Sequence, residues 1–92
     1  MDTDKFIKLC KREIKQYYKE NTEITDNFEI KDEDIYVVWC VKALQNSKGL
    51  FSTKVIDGMY YEMTYNGDKK ELYFDAYKKW KNKAIKVNED EI

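Results

Sequence analysis

The residues best suited to binding chemistry lie near the C-terminus, where aromatic side chains are interleaved with lysines. Tyr73, Tyr77 and Trp80 lie in or beside residues 78–86, which contain five lysines and no acid. Flat rings beside ammonium groups suit single-stranded nucleic acid, because bases stack on rings and lysines attract phosphates. Exposed aromatic side chains are equally typical of protein interfaces. The candidate interaction surface comprises Tyr73, Tyr77, Lys78, Lys79, Trp80, Lys81 and Lys83.

Composition excludes most enzyme chemistry. The chain has no His, which removes the commonest general base, the triads built on it and imidazole metal ligands. Cys10 and Cys40 cannot make a four-ligand zinc site and are interpreted as buried, reduced thiols, with a disulfide or a reactive thiol as the alternative. A carboxylate pair such as Asp75 with Glu62 is not singled out by its spacing. We therefore expect a non-catalytic protein with no cofactor and no metal.

The net charge of −1 conceals a strongly patterned distribution. Residues 23–34 sum to −5, residues 78–86 to +5 and residues 89–91 to −3. The overall charge is wrong for a field that attracts duplex DNA, although a local basic patch is compatible with it. With 92 residues, we expect one domain that contains an acidic connection at 23–34 and an acidic tail at 88–92.

Two features bear on location. The longest apolar run, residues 35–41, is far shorter than the ~18 residues that a membrane span requires. Residues 1–5 are acidic where a signal peptide would be basic. The sequence therefore predicts a cytoplasmic protein that does not contact a membrane.

Hydrophobic periodicity predicts an N-terminal helix over residues 3–20. Its apolar face is formed by residues three and four apart, as an amphipathic helix requires. These residues are Phe6, Ile7, Cys10, Ile14 and Tyr17. The polar connection that follows allows a short strand at residues 28–30.

Four strands are predicted after the connection, at residues 35–44, 50–56, 59–65 and 71–77. Turn residues at 45–49, 57–58 and 66–68 join them as hairpins. The fold class is therefore α+β, an N-terminal amphipathic helix packed on an antiparallel β-meander of three to four strands. Residues 75–86 fit a strand or a helix; we expect a strand to about Tyr77 and then an irregular segment or a short C-terminal helix.

The first predicted strand is apolar at both odd and even positions. That pattern predicts a central strand covered on both faces, or a strand covered on one face with a partner on the other.

Five stretches of the sequence are similar to a known family. They are residues 35–39 (IYVVW), 42–46 (KALQN), 57–62 (DGMYYE), 64–69 (TYNGDK) and 75–79 (DAYKK). They resemble short proteins of unknown function that are encoded by phages and prophages of Gram-positive bacteria, and the similarity extends over residues 3–87. The resemblance implies a viral or prophage origin and a cytoplasmic location in the bacterial host. It implies no activity and identifies no functional residue.

Three hypotheses about function follow. Eight Tyr, four Phe and two Trp exceed what a helix-on-sheet core of this size can hide, so we expect some rings at the surface. The leading hypothesis is a small phage or prophage accessory protein that binds a host or defence protein; a homodimer would use the same surface. The alternative is single-stranded nucleic-acid binding through the C-terminal segment. A third is mimicry of a phosphate backbone by the acids at residues 29–34 and 89–91.

Overall fold

The computed structural model describes residues 1–21 and 29–92 of the chain, which form one helix and one antiparallel sheet. The elements are α1 (Thr3–Asn21), β1 (Ile35–Ala43), β2 (Asn46–Thr53), β3 (Met59–Asn66) and β4 (Glu71–Lys78). The strands lie in the order β1-β2-β3-β4, so each one pairs with its neighbour in sequence. This confirms the predicted α+β meander with four strands. The allowed C-terminal helix is present only as a 3₁₀ turn at Glu89–Glu91.

Helix α1 begins with a side-chain cap and buries one narrow face. The Lys5 N–H donates a 2.7 Å hydrogen bond to Asp2 Oδ1, which satisfies a backbone donor that the first turn leaves free. Residues at intervals of four are then buried against the sheet, namely Phe6, Cys10, Ile14 and Tyr18. Tyr17, predicted on the buried face, is half-buried at its flank. The helix therefore contributes a single apolar layer over the sheet.

Aromatic rings of the sheet meet the helix on one face only. Tyr61 and Phe51 are fully buried, and alternate residues of β2 and β3 share their side of the sheet. The Tyr61 ring lies 5.8 Å from that of Tyr17 and 5.7 Å from that of Phe74, while Phe6 lies 6.3 Å from Phe51. The core is therefore one layer of rings and aliphatic side chains between α1 and the inner face of the sheet.

Strand β2 begins earlier than predicted. The predicted turn at residues 45–49 is wrong, because β2 starts at Asn46 and only Leu44 and Gln45 connect it to β1. Gly49 is small because the rings of the core approach it closely: an added Cβ would lie 2.9 Å from the Phe51 ring and 3.3 Å from the Phe6 ring. Small residues that usually indicate a turn are here required by packing.

The connection between β2 and β3 is longer than the predicted two-residue hairpin. Strand β2 ends at Thr53 and β3 begins at Met59, so residues 54–58 form the loop. Gly58 has a φ of 72°, a conformation that glycine adopts without steric cost. The glycine therefore has the predicted backbone role, although in a longer loop.

Strand β1 is an edge strand. The prediction of a central strand covered on both faces is wrong, because β2 is the strand that pairs with β1 in the described sheet. Ile35, Val37 and Cys40 pack towards the helix, with an irregularity in the register between Val37 and Trp39. The remaining interpretation is a strand with one covered face. The strand allowed at residues 28–30 lies partly outside the described residues, and Glu29 and Ile30 belong to no strand.

Two buried weak acids, the Cys10 thiol and the Tyr61 hydroxyl, make the free energy of unfolding depend on pH in the alkaline range. Burial raises the pKa of Cys10 to about 12 from 9.0, and raises that of Tyr61 to about 12 from 10.0. The folded state thus favours both neutral forms, so their contribution is complete below about pH 9 and is lost as the pH rises towards 12. We expect the free energy of unfolding, measured with urea, to fall above pH 9 by up to about 1.4 kcal/mol per pH unit for each group.

A Cys10→Ala variant is the matched control for this pH dependence. The unfolded thiol titrates before the unfolded phenol, so the variant should lose part of the decline that begins near pH 9 and keep the part that begins near pH 10. Burial also raises the pKa of Cys40, which should account for the decline near pH 9 that remains. A free energy of unfolding that rises between pH 9 and 11 would contradict the burial of both groups.

Candidate interaction surface

The sheet face opposite α1 is covered by no described element, and it is referred to below as the open face. Its aromatic and aliphatic side chains come from all four strands. They are Tyr36, Trp39, Val41, Leu50, Tyr60, Tyr73 and Tyr77. Trp39 is 43% exposed and Tyr77 is 52% exposed, which is high for large rings on a sheet of a small domain. The open face is therefore an apolar surface in contact with solvent.

Strand register makes these side chains neighbours. Tyr60 lies directly opposite Tyr77, and Trp39 lies opposite Leu50. Cross-strand partners on one face have Cβ atoms ~4.5–5.5 Å apart, within contact range for large rings. The aromatic and aliphatic residues of the open face therefore share one surface, on which polar side chains are interspersed, namely Lys48, Ser52, Glu62, Thr64 and Asp75.

A shallow groove of about 560 Å³ lies where β4 leaves the sheet. It is lined by Leu50, Tyr60, Tyr77, Lys78, Lys79, Trp80 and Lys81. The Lys79 ammonium lies 5.6 Å from the centroid of the Tyr60 ring, a cation–π contact. The structure therefore brings five of the seven predicted site residues to one groove. Tyr73 lies further along β4, and Lys83 lies beyond the groove.

Residues 79–92, here called the C-terminal arm, follow β4 and belong to no strand. The Lys79 N–H donates a 2.7 Å hydrogen bond to the Gly58 carbonyl, and residues 80–87 form no backbone hydrogen bond with the described residues. Trp80 is 97% exposed, and Ile85 and Val87 are also exposed. The radius of gyration is 15.9 Å, against about 12 Å for a compact domain of this length. The prediction of an irregular segment after β4 is confirmed.

The part of the open face away from the groove carries excess negative charge. Glu62 forms an ion pair with Lys48 (Oε2 to Nζ, 3.1 Å), and it also lies directly opposite Asp75 in the register. Like charges in opposite positions destabilise a sheet. Asp75 forms no ion pair or hydrogen bond with the described residues, and Glu71 accepts a 2.7 Å hydrogen bond from the Tyr73 hydroxyl. The part of the face around Glu62 and Asp75 therefore attracts a cationic group, whereas Lys79 places positive charge at the groove end.

The acidic connection is partly neutralised by the helix. Asp32 forms an ion pair with Lys15, and a hydrogen bond from that lysine lowers the pKa of the Asp32 carboxyl. The Lys11 ammonium also donates to the Asp32 carbonyl at 3.3 Å. Residues 23–28 of the connection that the sequence assigned to 23–34 lie outside the described residues. In the described part, mimicry of a phosphate backbone has no continuous acidic surface to support it.

Sequence reasoning found the β4 part of this surface and missed the β1 and β2 part. Trp39, Val41 and Leu50 were not predicted as site residues. Trp39 and Val41 lie within residues 35–41, where odd and even positions are both apolar. That pattern was the signal in the sequence that both faces of β1 carry apolar side chains. The expectation of rings at the surface concerned Tyr18, Tyr36, Tyr60, Tyr73, Tyr77 and Trp80. Of these, Tyr36, Tyr73, Tyr77 and Trp80 are exposed, Tyr60 is partly buried and Tyr18 is buried.

Metal chemistry and membrane insertion have no structural support in the described part of the chain. Among residues 1–21 and 29–92, no three side chains of the His, Cys, Asp or Glu types are grouped to hold a metal ion. Cys10 and Cys40 are both free thiols. The helix in the same residues is not apolar enough to cross a membrane.

Fold and surface together define a small α+β domain whose sheet presents one uncovered aromatic face. A protein-family model described as a family of unknown function (DUF6275) matches residues 7–87. The chain belongs to this family. No curated protein and no solved structure matches it.

Proposed function

We propose that this protein is a non-catalytic binding module that captures another protein on its open face. The observation that carries the proposal is the aromatic and aliphatic surface on that face, which continues into the groove beside Trp80. Four strands ~4.8 Å apart, with eight residues at ~3.4 Å each, give a face of about 500 Å². Seven of the twelve paired side chains on it are aromatic or aliphatic, so the apolar part is about 300 Å², a size that is often functional on small proteins. Tyr and Trp are also the side chains that contribute most per residue to protein interfaces.

The kind of partner follows from the origin that the sequence resemblance implies. Similarity to proteins encoded by phages and prophages supports a small accessory protein that acts in the bacterial cytoplasm. The partner is then a host or defence protein, which the module binds and blocks or redirects without catalysis. The absence of His and the lack of a metal cluster in the described residues leave binding as the chemistry best supplied.

The test is quantitative capture from a nuclease-treated lysate of a Gram-positive bacterium, with three baits. The wild-type chain is compared with a Trp39→Ser/Tyr77→Ser variant of the open face and with Leu44→Ala, an exposed apolar residue in the β1–β2 turn. We expect a protein that is retained by the wild type and by Leu44→Ala and is lost with the open-face variant. Recovery of nucleic acid alone in an untreated arm of the experiment would contradict the proposal.

A second function is single-stranded nucleic-acid binding. It is supported by the position of the Lys79 ammonium above the Tyr60 ring and by the exposed ring of Trp80, which is close in sequence to Lys81 and Lys83. The acids of the open face oppose it, so it would use the arm. Binding of a fluorescent oligothymidine should then weaken steeply between about 50 and 200 mM salt, because bound lysines release counterions. A complex held by aromatic contacts with a protein should change little. Absence of oligonucleotide binding at 50 mM salt would exclude this function.

A further inference from the structure

We infer that the open face of one molecule receives the C-terminal arm of a second copy of this chain, so that two copies exchange arms. This docking rests on the proposed function, because it takes the open face as a protein-binding surface, and it names the occupant. Another protein partner would then compete with the arm for the same face.

The part of the open face away from the groove requires an occupant with positive charge. Asp75 has no partner in the described part of the chain and lies opposite Glu62. With Glu71 and against Lys48, these groups give the part of the face away from the groove a local sum of −2, whereas Lys79 brings positive charge to the groove end at Tyr60. A lysine brought near Asp75 would relieve the repulsion between the two opposed carboxylates.

The arm has the complementary composition. Its residues 79–86 carry four lysines and no acid, and none of these lysines forms an ion pair with the described residues. Trp80, Ile85 and Val87 are interspersed with them and exposed. A segment that presents apolar side chains between lysines matches a face of aromatic rings with unpaired carboxylates.

A second copy is the source of the arm because the arm is not packed on its own face, where Trp80, Ile85 and Val87 remain exposed. Lys79 is fixed to the Gly58 carbonyl, and residues 79–92 contain neither Gly nor Pro to turn the chain back sharply. Extended residues advance ~3.3 Å each, so the arm can reach about 45 Å. That length is greater than the ~27 Å of an eight-residue strand, so one arm can cross the whole face of a neighbour.

The area that two arms can cover is sufficient for a specific dimer. An extended segment covers a track about 10 Å wide, which over ~25 Å buries about 250 Å² on the face and a similar area on the arm. Two reciprocal contacts related by twofold symmetry then bury about 1,000 Å², the lower limit for a specific interface.

Sedimentation equilibrium of the full chain, at 1 to 100 μM, tests the exchange. We expect a dimer, and Trp80→Ala should raise its dissociation constant at least about tenfold, because a large ring at the centre of an interface contributes strongly. Leu44→Ala is the matched control, since it removes an exposed apolar side chain away from the arm, and it should leave the constant unchanged. Far-UV circular dichroism checks that each variant is folded.

Charge reversal identifies the contact between arm and face. Asp75→Lys alone should weaken the dimer, and so should Lys81→Glu/Lys83→Glu alone, whereas the triple variant should recover part of the affinity. A wild-type chain that is monomeric at 100 μM would overturn the inference, as would a dimer insensitive to Trp80→Ala and to both charge reversals. A monomer that still captures a protein through Trp39 and Tyr77 would overturn the arm exchange and leave the proposed function standing.

Discussion

Tyr61→Ala is expected to lower the free energy of unfolding by about 3–5 kcal/mol. Tyr61 is 1% exposed, and its ring packs against those of Tyr17 and Phe74. Alanine would leave a cavity in the single layer of side chains that joins α1 to the sheet. Domains have only about 5–15 kcal/mol of stability in total, so the variant should be largely unfolded at moderate urea concentrations. Urea unfolding followed by circular dichroism measures the change.

Tyr60→Ala is the matched control, because it removes the same side chain from the adjacent position on the other face of β3. Tyr60 is only partly buried and contacts the Lys79 ammonium at 5.6 Å. We expect a loss of stability below about 1 kcal/mol, as for surface substitutions, together with weaker capture of the partner. Equal destabilisation by the two substitutions would show that the open face is covered in the folded chain, contrary to this structure.

Gly67→Ala is expected to destabilise the fold by about 2–3 kcal/mol through a clash with the backbone. The Gly67 N–H donates a 3.0 Å hydrogen bond to Asn46 Oδ1, which brings the β3–β4 turn against the β1–β2 turn. A Cβ at this position would lie 2.1 Å from the Gln45 carbonyl oxygen. A backbone atom cannot rotate away as a side chain can, so both turns must shift. The thermal unfolding midpoint and the urea midpoint should fall together.

Gly58→Ala separates this close approach from conformational strain. Gly58 has a φ of 72°, but the nearest atom to an added Cβ is 3.8 Å away. Its cost should be only the ~1–2 kcal/mol of placing an L residue in the left-handed region. Gly67→Ala should therefore be the more damaging of the two substitutions. The reverse order would contradict the contact between the two turns.

The helix and the hairpin order could be predicted because both depend on local chemistry. Residues at intervals of four in α1 and the alternation in β3 are direct consequences of backbone geometry. The Asn66-Gly67 pair marks the last hairpin correctly, since β3 ends at Asn66. The start of β2 could not be predicted, because Ser47 and Gly49 look like turn residues and are small to fit beneath the core rings.

Whether β1 is covered on both faces was the main feature of the fold that the sequence left open. The apolar character of residues 35–41 is the same for a central strand and for an edge strand with an uncovered face. Pairing with β2 on one side decides between them, and it depends on contacts distant in sequence. For the same reason, the β4 side of the candidate site could be predicted from Tyr77 and Trp80, whereas Trp39 and Leu50 could be assigned to it only from the register.

Acrylamide quenching of tryptophan fluorescence tests the central claim most directly, namely that the open face and the arm are the docking surface. The chain has two tryptophans, Trp39 on the open face and Trp80 on the arm, and both are exposed in the isolated molecule. On formation of the dimer or of a complex with a captured protein, both should become less accessible, and Trp80→Phe isolates the signal of Trp39. We predict at least a twofold fall in the quenching constant and a blue shift in emission. Complex formation with unchanged quenching of both tryptophans would contradict the account.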